Sequence, residues 1–171
     1  MAVQDPLEYD VRPGALVEQV PAIVYVQSAE PGAPAFAYVS PQARQILGYE
    51  SADLVNGSVP WLDIIHPDDR ETVREADEAC DITDGPFRCE YRIRARDGGW
   101  RWMRDEAVLV PGDGRRPPVW QGIMVDVTAT KEAEEQLREA EQRFRTLVAS
   151  APIGIFLTDA HGNIIYTLDT C

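Results

Sequence analysis

The clearest alternation of apolar and polar positions lies between residues 87 and 110. From Phe87 to Ala95 every second residue is apolar and the residues between are charged, a period of two that predicts a half-buried β-strand. Asp97-Gly98-Gly99 predicts a tight turn, and a partner strand is expected at Trp100–Val110, with another at Val119–Val127. The pattern therefore indicates an antiparallel sheet with one buried face and one face that contacts water.

The earlier part of the chain predicts two more strands and several short helices. Ile23–Gln27 is β-branched and aromatic, and Phe36–Val39 is expected to pair with it as a hairpin. Ser40 is predicted to cap a helix that ends at Gly48. Further helices are expected at Ser51–Val55, at Pro60–Ile65 and from His66 to about Cys80.

A long helix is predicted after residue 128. Residues 130–145 contain no glycine or proline and are mostly Glu, Ala, Gln and Arg. Its apolar residues are spaced 4-3-4-3, which is the seam of a coiled coil, and a helix docked on its own domain is the alternative for so short a seam. The seam residues are Ala133, Leu137, Ala140, Phe144 and Leu147.

The end of the chain repeats its beginning. Leu16–Pro21 and the strand after it resemble Leu147–Pro152 and the apolar residues that follow, which indicates a duplicated domain. The second copy is too short to form a core. We therefore predict an N-terminal arm (1–15), a domain (16–128), a signalling helix (129–148) and the beginning of a truncated second domain (149–171).

Charge and cysteine content limit which partners the protein can bind and which cellular compartment it is expected in. The net charge of −13 argues against nucleic acid and anionic membranes, which require a positive surface. No apolar run reaches the ~18 residues of a membrane span, and the N-terminus lacks a signal-peptide pattern. Three cysteines without close spacing favour free thiols in a reducing compartment. A cytoplasmic protein is expected.

Three motifs, in this order, carry a resemblance to a known family. They are Trp61-Leu62-Asp63-Ile64-Ile65-His66-Pro67-Asp68-Asp69-Arg70, then Glu90-Tyr91-Arg92 with Asp97-Gly98 and Arg101-Trp102, and finally Gly122 with Asp126-Val127-Thr128. Together they resemble the bacterial PAS/PAC sensory-box subfamily of the PAS domain family. The resemblance implies an α+β fold, with a five-stranded antiparallel sheet covered by short helices and followed by a coiled-coil helix.

The resemblance also implies a function. Such domains are sensory or dimerisation modules of bacterial signal-transduction proteins, upstream of a histidine kinase, a diguanylate cyclase or phosphodiesterase, or a phosphatase. It implies that Asp126 and Thr128 form the hinge for signal relay, and we expect Thr128 to cap the helix and Asp126 to pair with a basic residue. A homodimer through the helix is predicted. The alternative is a ligand-free scaffold for protein–protein interaction.

No motif for catalysis, phosphate binding or metal binding is present, so no enzyme is predicted. His66 beside Asp68 and Asp69 fits a helix start better than a metal site, and no metal is predicted. The family's flavin-binding cysteine motif is missing, and His66 lies at the start of the long helix rather than within it. We therefore expect neither flavin nor haem, and leave an unidentified small-molecule ligand, with unknown binding residues, as a possibility.

Aromatic residues are concentrated in the predicted strands. Trp100, Trp102 and Trp120 lie on the last two strands of the sheet, and tyrosines lie on the others. Side chains of this kind are predicted to fill the core rather than to line a ligand cavity. Cys89, on the apolar positions of its strand, is predicted to be a small core residue.

Overall fold

The computed structural model describes residues 20–30, 36–83, 85–150 and 155–168. The chain divides into two compact units, residues 1–128 and 129–171. The strands of the first unit are β1 (Ile23–Ser28), β2 (Tyr38–Val39), β3 (Phe87–Arg94), β4 (Trp100–Val110) and β5 (Val119–Asp126). Those of the second unit are β6 (Ile155–Thr158) and β7 (Ile164–Leu168). The predicted N-terminal arm lies outside the described residues.

Short helices connect β2 to β3, as the sequence predicts. They are α1 (Gln42–Ile46), α2 (Ser51–Val55), α3 (Trp61–Ile64), a 3₁₀ turn (Pro67–Asp69) and α4 (Arg70–Thr83). Gly48 ends the first of them with a φ of 78°, a left-handed conformation that favours glycine. The long helix α5 runs through Thr128–Ser150, so it begins two residues before the composition change at residue 130.

The five strands of the first unit form one antiparallel sheet in the order β2-β1-β5-β4-β3. The first strand of the domain therefore lies beside the last one, far from it in sequence. In this register Gly122 of β5 has Tyr25 of β1 on one side and Ala107 of β4 on the other. All three residues of this cross-strand row are buried.

The core covers one face of the sheet. On β3 and β4 the buried positions alternate as predicted: Tyr91 and Ile93 on one strand and Met103 and Ala107 on the other are at most 3% exposed. Residues from the short helices, among them Leu47, cover them. Cys89 packs against this cluster, in agreement with its predicted core role. The α+β fold with its five-stranded sheet is confirmed.

Three local predictions are wrong. The partner strand of β1 is only Tyr38–Val39, not Phe36–Val39. Ser40 does not cap α1, because its hydroxyl accepts a hydrogen bond from the Val24 N–H of β1 instead, at 2.9 Å. Of the three tryptophans, only Trp120 packs on the core. Trp100 is 40% exposed, because the even positions of β4 point away from the core.

The second unit contains α5 after its first residue and a two-stranded antiparallel hairpin, β6–β7. In the hairpin turn the Asp159 carboxylate accepts hydrogen bonds from the backbone N–H groups of His161 and Asn163, which is the turn chemistry of an aspartate. None of the helices in the described segments combines the length and the apolar character needed to cross a bilayer.

Candidate functional site

A cavity of about 120 Å³ lies between the core face of the sheet and the helices. Side chains of β1, β3, β4 and β5 form its floor, and residues of α3 and α4 form its other wall. The lining residues are Tyr25, Gln27, Trp61, Leu62, Val73, Asp77, Phe87, Tyr91, Asp105, Ala107 and Trp120. Leu62 is 66% exposed and Asp77 is exposed, so the cavity reaches solvent at this rim.

The most unusual residue of the cavity is Asp105, a carboxylate on the core face of β4 that is only 3% exposed. Two tyrosines satisfy it. The Tyr25 hydroxyl donates to Oδ1 at 2.9 Å, and the Tyr91 hydroxyl donates to Oδ2 at 2.7 Å. No Lys, Arg or His of the described segments forms an ion pair with it. Because a buried ion needs compensating charge or several hydrogen bonds, two neutral donors leave this carboxylate only partly compensated.

The ionisation of this cluster reflects its burial. Loss of hydration raises the pKa of Asp105 to about 6, although the hydrogen bonds from Tyr91 and Tyr25 act in the opposite direction. Burial, together with the adjacent carboxylate, also raises the pKa of both tyrosines. Both tyrosines therefore remain protonated donors at neutral pH, whereas Asp105 titrates within the physiological range.

Gly122 fixes the position of the Tyr25 ring. A Cβ atom at residue 122 would lie 2.2 Å from Cζ and 2.4 Å from Oη of Tyr25, so the ring crosses the β5 backbone where a side chain would stand. The Tyr25 ring also packs edge to face with Phe36, with 5.4 Å between the ring centroids. The hydroxyl is thereby held at Asp105. Residue 122 must therefore be glycine, because the Tyr25 ring approaches the β5 backbone too closely for any side chain there.

The His66–Arg70 motif attaches the helices to the sheet edge. Asp69 accepts hydrogen bonds from the backbone N–H, Nε and Nη2 of Arg92 on β3, at 2.6–2.9 Å. These bonds, chiefly those from the guanidinium, lower the pKa of Asp69. His66 Nδ1 accepts from the Asp68 N–H at 3.2 Å, which is the helix-start role predicted for it. The motif is thus a structural clamp.

Asp126 and Thr128 hold the point where β5 becomes α5, but with different partners from those predicted. The Thr128 hydroxyl accepts a hydrogen bond from the Trp102 N–H of β4 at 2.9 Å, and the Val127 N–H donates to the Trp102 carbonyl at 2.8 Å. Asp126 Oδ1 accepts from the Thr128 N–H at 2.8 Å. Asp126 thus accepts a hydrogen bond from the first N–H of the helix, and Thr128 bonds the sheet. Thr128 was expected to cap the helix, and Asp126 was expected to pair with a basic residue, whereas its partner is a backbone group.

This arrangement explains how the chain leaves the sheet. The β4–β5 ladder ends at the pair Met103–Asp126, after which the backbone turns into α5. The hydroxyl of Thr128 supplies the acceptor that a further strand residue would have supplied. The Trp102 N–H therefore keeps a partner while the backbone of Thr128 is already helical.

The seam residues predicted on α5 lie on the surface. Leu137, Phe144 and Leu147 are 63%, 67% and 68% exposed, and Ala133 and Ala140 are also exposed. Ion pairs flank them, including Arg138 with Glu135 at 2.5 Å. The seam is therefore an apolar stripe on an otherwise charged helix.

Sequence reasoning missed Asp105. A usable signal was present, because Asp105 stands between Met103 and Ala107 on the apolar positions of β4. The aromatic residues were assigned to the core alone, whereas Tyr25, Tyr91 and Trp120 also line the cavity. Within the described segments no three His, Cys, Asp or Glu side chains form a metal-binding group. The absence of metal, haem and flavin stays a prediction.

Comparison with known proteins identifies the family. Residues 36–124 match the PAS fold, and residues 142–167 match a PAS domain a second time. The chain is 31% identical over 139 residues to the two-component sensor PprA of Pseudomonas aeruginosa, which covers 81% of this chain and 15% of that protein. The chain thus spans a small part of this relative.

Two solved structures are similar as well. A sensory box histidine kinase/response regulator from Burkholderia thailandensis is 29% identical with a TM-score of 0.62, covering 80% of this chain and 100% of that one. The N-terminal domain of a diguanylate cyclase with PAS/PAC sensor from Marinobacter aquaeolei is 25% identical with a TM-score of 0.54, covering 64% and 98%. With this sheet order and the family match over residues 36–124, the chain belongs to the PAS fold family.

Proposed function

We propose that this chain is a sensory and dimerising module that passes a signal from its sheet to α5 through Asp126 and Thr128. The relatives are PAS sensor domains of histidine kinases and diguanylate cyclases, which supports a downstream output domain of the kinase or cyclase class. A phosphodiesterase or a phosphatase is proposed from the resemblance alone. The observation that carries the proposal is the hydrogen bond from the Trp102 N–H to the Thr128 hydroxyl. It joins the sheet to the first residue of the helix.

The relay follows from the position of β4. This strand carries both Asp105, in the cavity, and Trp102, at the junction, three residues apart or about 10 Å along a strand. A change in the hydrogen bonds of Asp105 that moves β4 along its axis therefore moves the donor that holds Thr128. Because a helix responds to such a shift as a rigid element, the displacement reaches the seam of α5.

The seam supports a homodimer through α5. Three large apolar side chains on a charged helix leave an exposed stripe that water disfavours, and its 4-3-4-3 spacing matches a second copy of the same helix. A pair of parallel copies buries Leu137 against Leu137 and Phe144 against Phe144. The cavity with its buried carboxylate favours this sensory role over a ligand-free scaffold. No catalytic role is proposed for the module.

Replacement of Leu137 by glutamate is expected to convert the dimer to a monomer. The substitution places two carboxylates in the apolar seam, and we expect the dimer dissociation constant to rise roughly a hundredfold or more. Multi-angle light scattering and sedimentation equilibrium over a range of concentrations measure this directly. Gln142→Glu is the matched control, since it adds the same group to the same helix on the side opposite the seam, where Gln142 is exposed, and is expected to leave the dimer intact.

Two results would refute dimerisation through α5. One is a wild-type chain that stays monomeric at every concentration tested, and the other is equal weakening by Leu137→Glu and Gln142→Glu. Circular dichroism of both variants checks that α5 is still formed, because glutamate is a good helix former at either position.

Replacement of Thr128 by valine is expected to detach the helix start from the sheet without unfolding the domain. Valine has the shape of threonine but no acceptor, so the Trp102 N–H loses its partner. We expect the exchange rate of the Trp102 amide to rise about tenfold, the cost of one ordinary hydrogen bond. Hydrogen-exchange NMR measures it, with Thr146→Val on the exposed part of α5 as the control.

The proposed coupling fails if the Trp102 amide exchanges at the wild-type rate in Thr128→Val. In that case the hydroxyl does not hold the strand, and the sheet and α5 are joined by the peptide chain alone. Amides of β1, which β5 separates from β4 in the sheet, serve as internal references, since their exchange is expected to be unaffected.

A further inference from the structure

The cavity that contains Asp105 has the charge of a cation site. Two of its lining residues, Asp105 and Asp77, are acids, and no lysine, arginine or histidine is among the described residues that line it. Asp105 uses one acceptor site on each carboxylate oxygen for a tyrosine, whereas a carboxylate offers about four. The remaining acceptor sites are available to a donor that enters the cavity.

The rest of the lining favours a cation that carries carbon. Five of the lining residues are aromatic, namely Tyr25, Trp61, Phe87, Tyr91 and Trp120. Aromatic faces attract cations, most strongly where water is excluded, and they also contact methyl groups favourably. A bare metal ion requires a shell of oxygen ligands, which these rings do not provide.

The volume sets the size of the occupant. The cavity measures about 120 Å³, which equals about four water molecules at roughly 30 Å³ each. An occupant of about four or five non-hydrogen atoms fills it. Entry is at the rim formed by Leu62 and Asp77, where the second carboxylate faces solvent.

From these observations we propose that the cavity binds a small alkylammonium ion, with its N–H donating to the Asp105 carboxylate and its alkyl groups against the aromatic rings. This inference rests on the proposed sensory function, for which it names the class of ligand. The charge of the ion compensates a carboxylate that two neutral tyrosines leave without a counter-ion. Binding also changes the hydrogen bonds of β4, the strand that holds Thr128.

Trimethylammonium chloride is the probe that tests the proposal, because it has four non-hydrogen atoms, one positive charge and one N–H. Isothermal titration calorimetry and NMR of the 171-residue chain are expected to detect a single site at millimolar concentrations, with sodium chloride of equal ionic strength as the blank. tert-Butanol, which has a hydroxyl donor but no charge, is expected to bind roughly tenfold or more weakly. Equal binding of the two probes would overturn the assignment of a cation.

Variants locate the site. Asp105→Asn is expected to weaken trimethylammonium binding roughly tenfold or more, whereas Glu106→Gln is expected to have no effect. Glu106 is the matched control because it is the next residue of β4, is exposed on the opposite face and undergoes the same carboxylate-to-amide change. Binding to Asp105→Asn with the wild-type affinity would overturn the proposal, as would the absence of binding to the wild-type chain.

A second variant covers the case in which Asp105→Asn does not fold. Asp77 lies on the exposed rim, and Asp77→Asn is expected to weaken trimethylammonium binding severalfold because the attraction between the carboxylate and the cation is lost. The site would be refuted if a folded Asp77→Asn binds as the wild type does and the NMR signals of Trp61 and Trp120 do not shift on titration. Failure here is distinguishable from failure of the proposed function. A chain that dimerises through α5 but does not bind trimethylammonium loses only the ligand class, and a chain that binds but stays monomeric loses only the dimer.

Discussion

Asp105→Asn is expected to gain stability relative to the wild type as pH rises from about 4 to neutral. In the folded chain the pKa of Asp105 is raised to about 6 from 3.8, chiefly by burial. Folded protein therefore holds a proton that the unfolded chain has released in this range. The wild type loses stability as pH rises through this window, whereas an asparagine does not titrate.

The difference between the two proteins isolates this one group. Other acids are common to both proteins, so their effects on stability cancel. Asp69 is an example: its pKa is lowered, and the stability it contributes is lost only as pH falls through that lowered pKa. A shift of about two pKa units corresponds to a relative gain of about 3 kcal/mol for the variant at neutral pH. Urea unfolding at a series of pH values measures the difference in the free energy of unfolding.

The expected curve has a defined shape. The difference in the free energy of unfolding between Asp105→Asn and the wild type changes between pH values of about 4 and 6 and is constant outside this window. A difference that stays constant with pH would show that Asp105 ionises as it does in water, and a change of opposite sign would show a stabilised carboxylate. Glu106→Gln, one residue away on the exposed face, is the control and is expected to follow the wild type closely.

Gly122→Ala is expected to destabilise the domain by about 2–4 kcal/mol, from overpacking together with a disturbed hydrogen bond to a charged group. The new Cβ would stand 2.2 Å from the Tyr25 ring, and that ring is buried and in edge-to-face contact with Phe36, so it cannot move aside without disturbing the core. In an unobstructed strand the same change stabilises, since alanine loses less conformational entropy than glycine. A loss of stability in Gly122→Ala therefore indicates the clash with Tyr25, whereas a gain indicates an unobstructed strand. Chemical denaturation measures the change in the free energy of unfolding.

A double-mutant cycle identifies the cause. Tyr25→Val removes the ring atoms that meet the new Cβ while keeping a strand-forming residue. In this background Gly122→Ala is expected to cost less than about 1 kcal/mol, because the clash no longer exists. If its cost is the same in both backgrounds, the close approach of Tyr25 to Gly122 does not explain the requirement for glycine.

The elements of the fold were predictable because their signals are local. The alternation from Phe87 to Ala95 and the turn at residues 97–99 reflect burial on one face, which neighbouring residues reveal by themselves. Pairing between distant strands is not local. The placement of β1 between β2 and β5, which brings Tyr25 over Gly122, was not predicted from the sequence.

The candidate site was less predictable for the same reason. Asp105 receives its hydrogen bonds from Tyr91, fourteen residues away, and from Tyr25, eighty residues away. An isolated acid on apolar positions signals a buried carboxylate, but not which donors satisfy it. Thr128 and Asp126 were recognised as a junction from their motif, while their partners depended on where β4 ends relative to the helix.

The junction has a consequence for how such modules are exchanged between proteins. Both of its side-chain hydrogen bonds are made with main-chain groups, from Trp102 N–H to Thr128 and from Thr128 N–H to Asp126, and the third bond, from Val127 N–H to the Trp102 carbonyl, is main chain to main chain. No side chain of the neighbouring strand takes part in them. We therefore expect the joint to depend little on the side chains of β4, so that recombination at this boundary keeps it wherever aspartate and threonine stand two residues apart at the end of the strand.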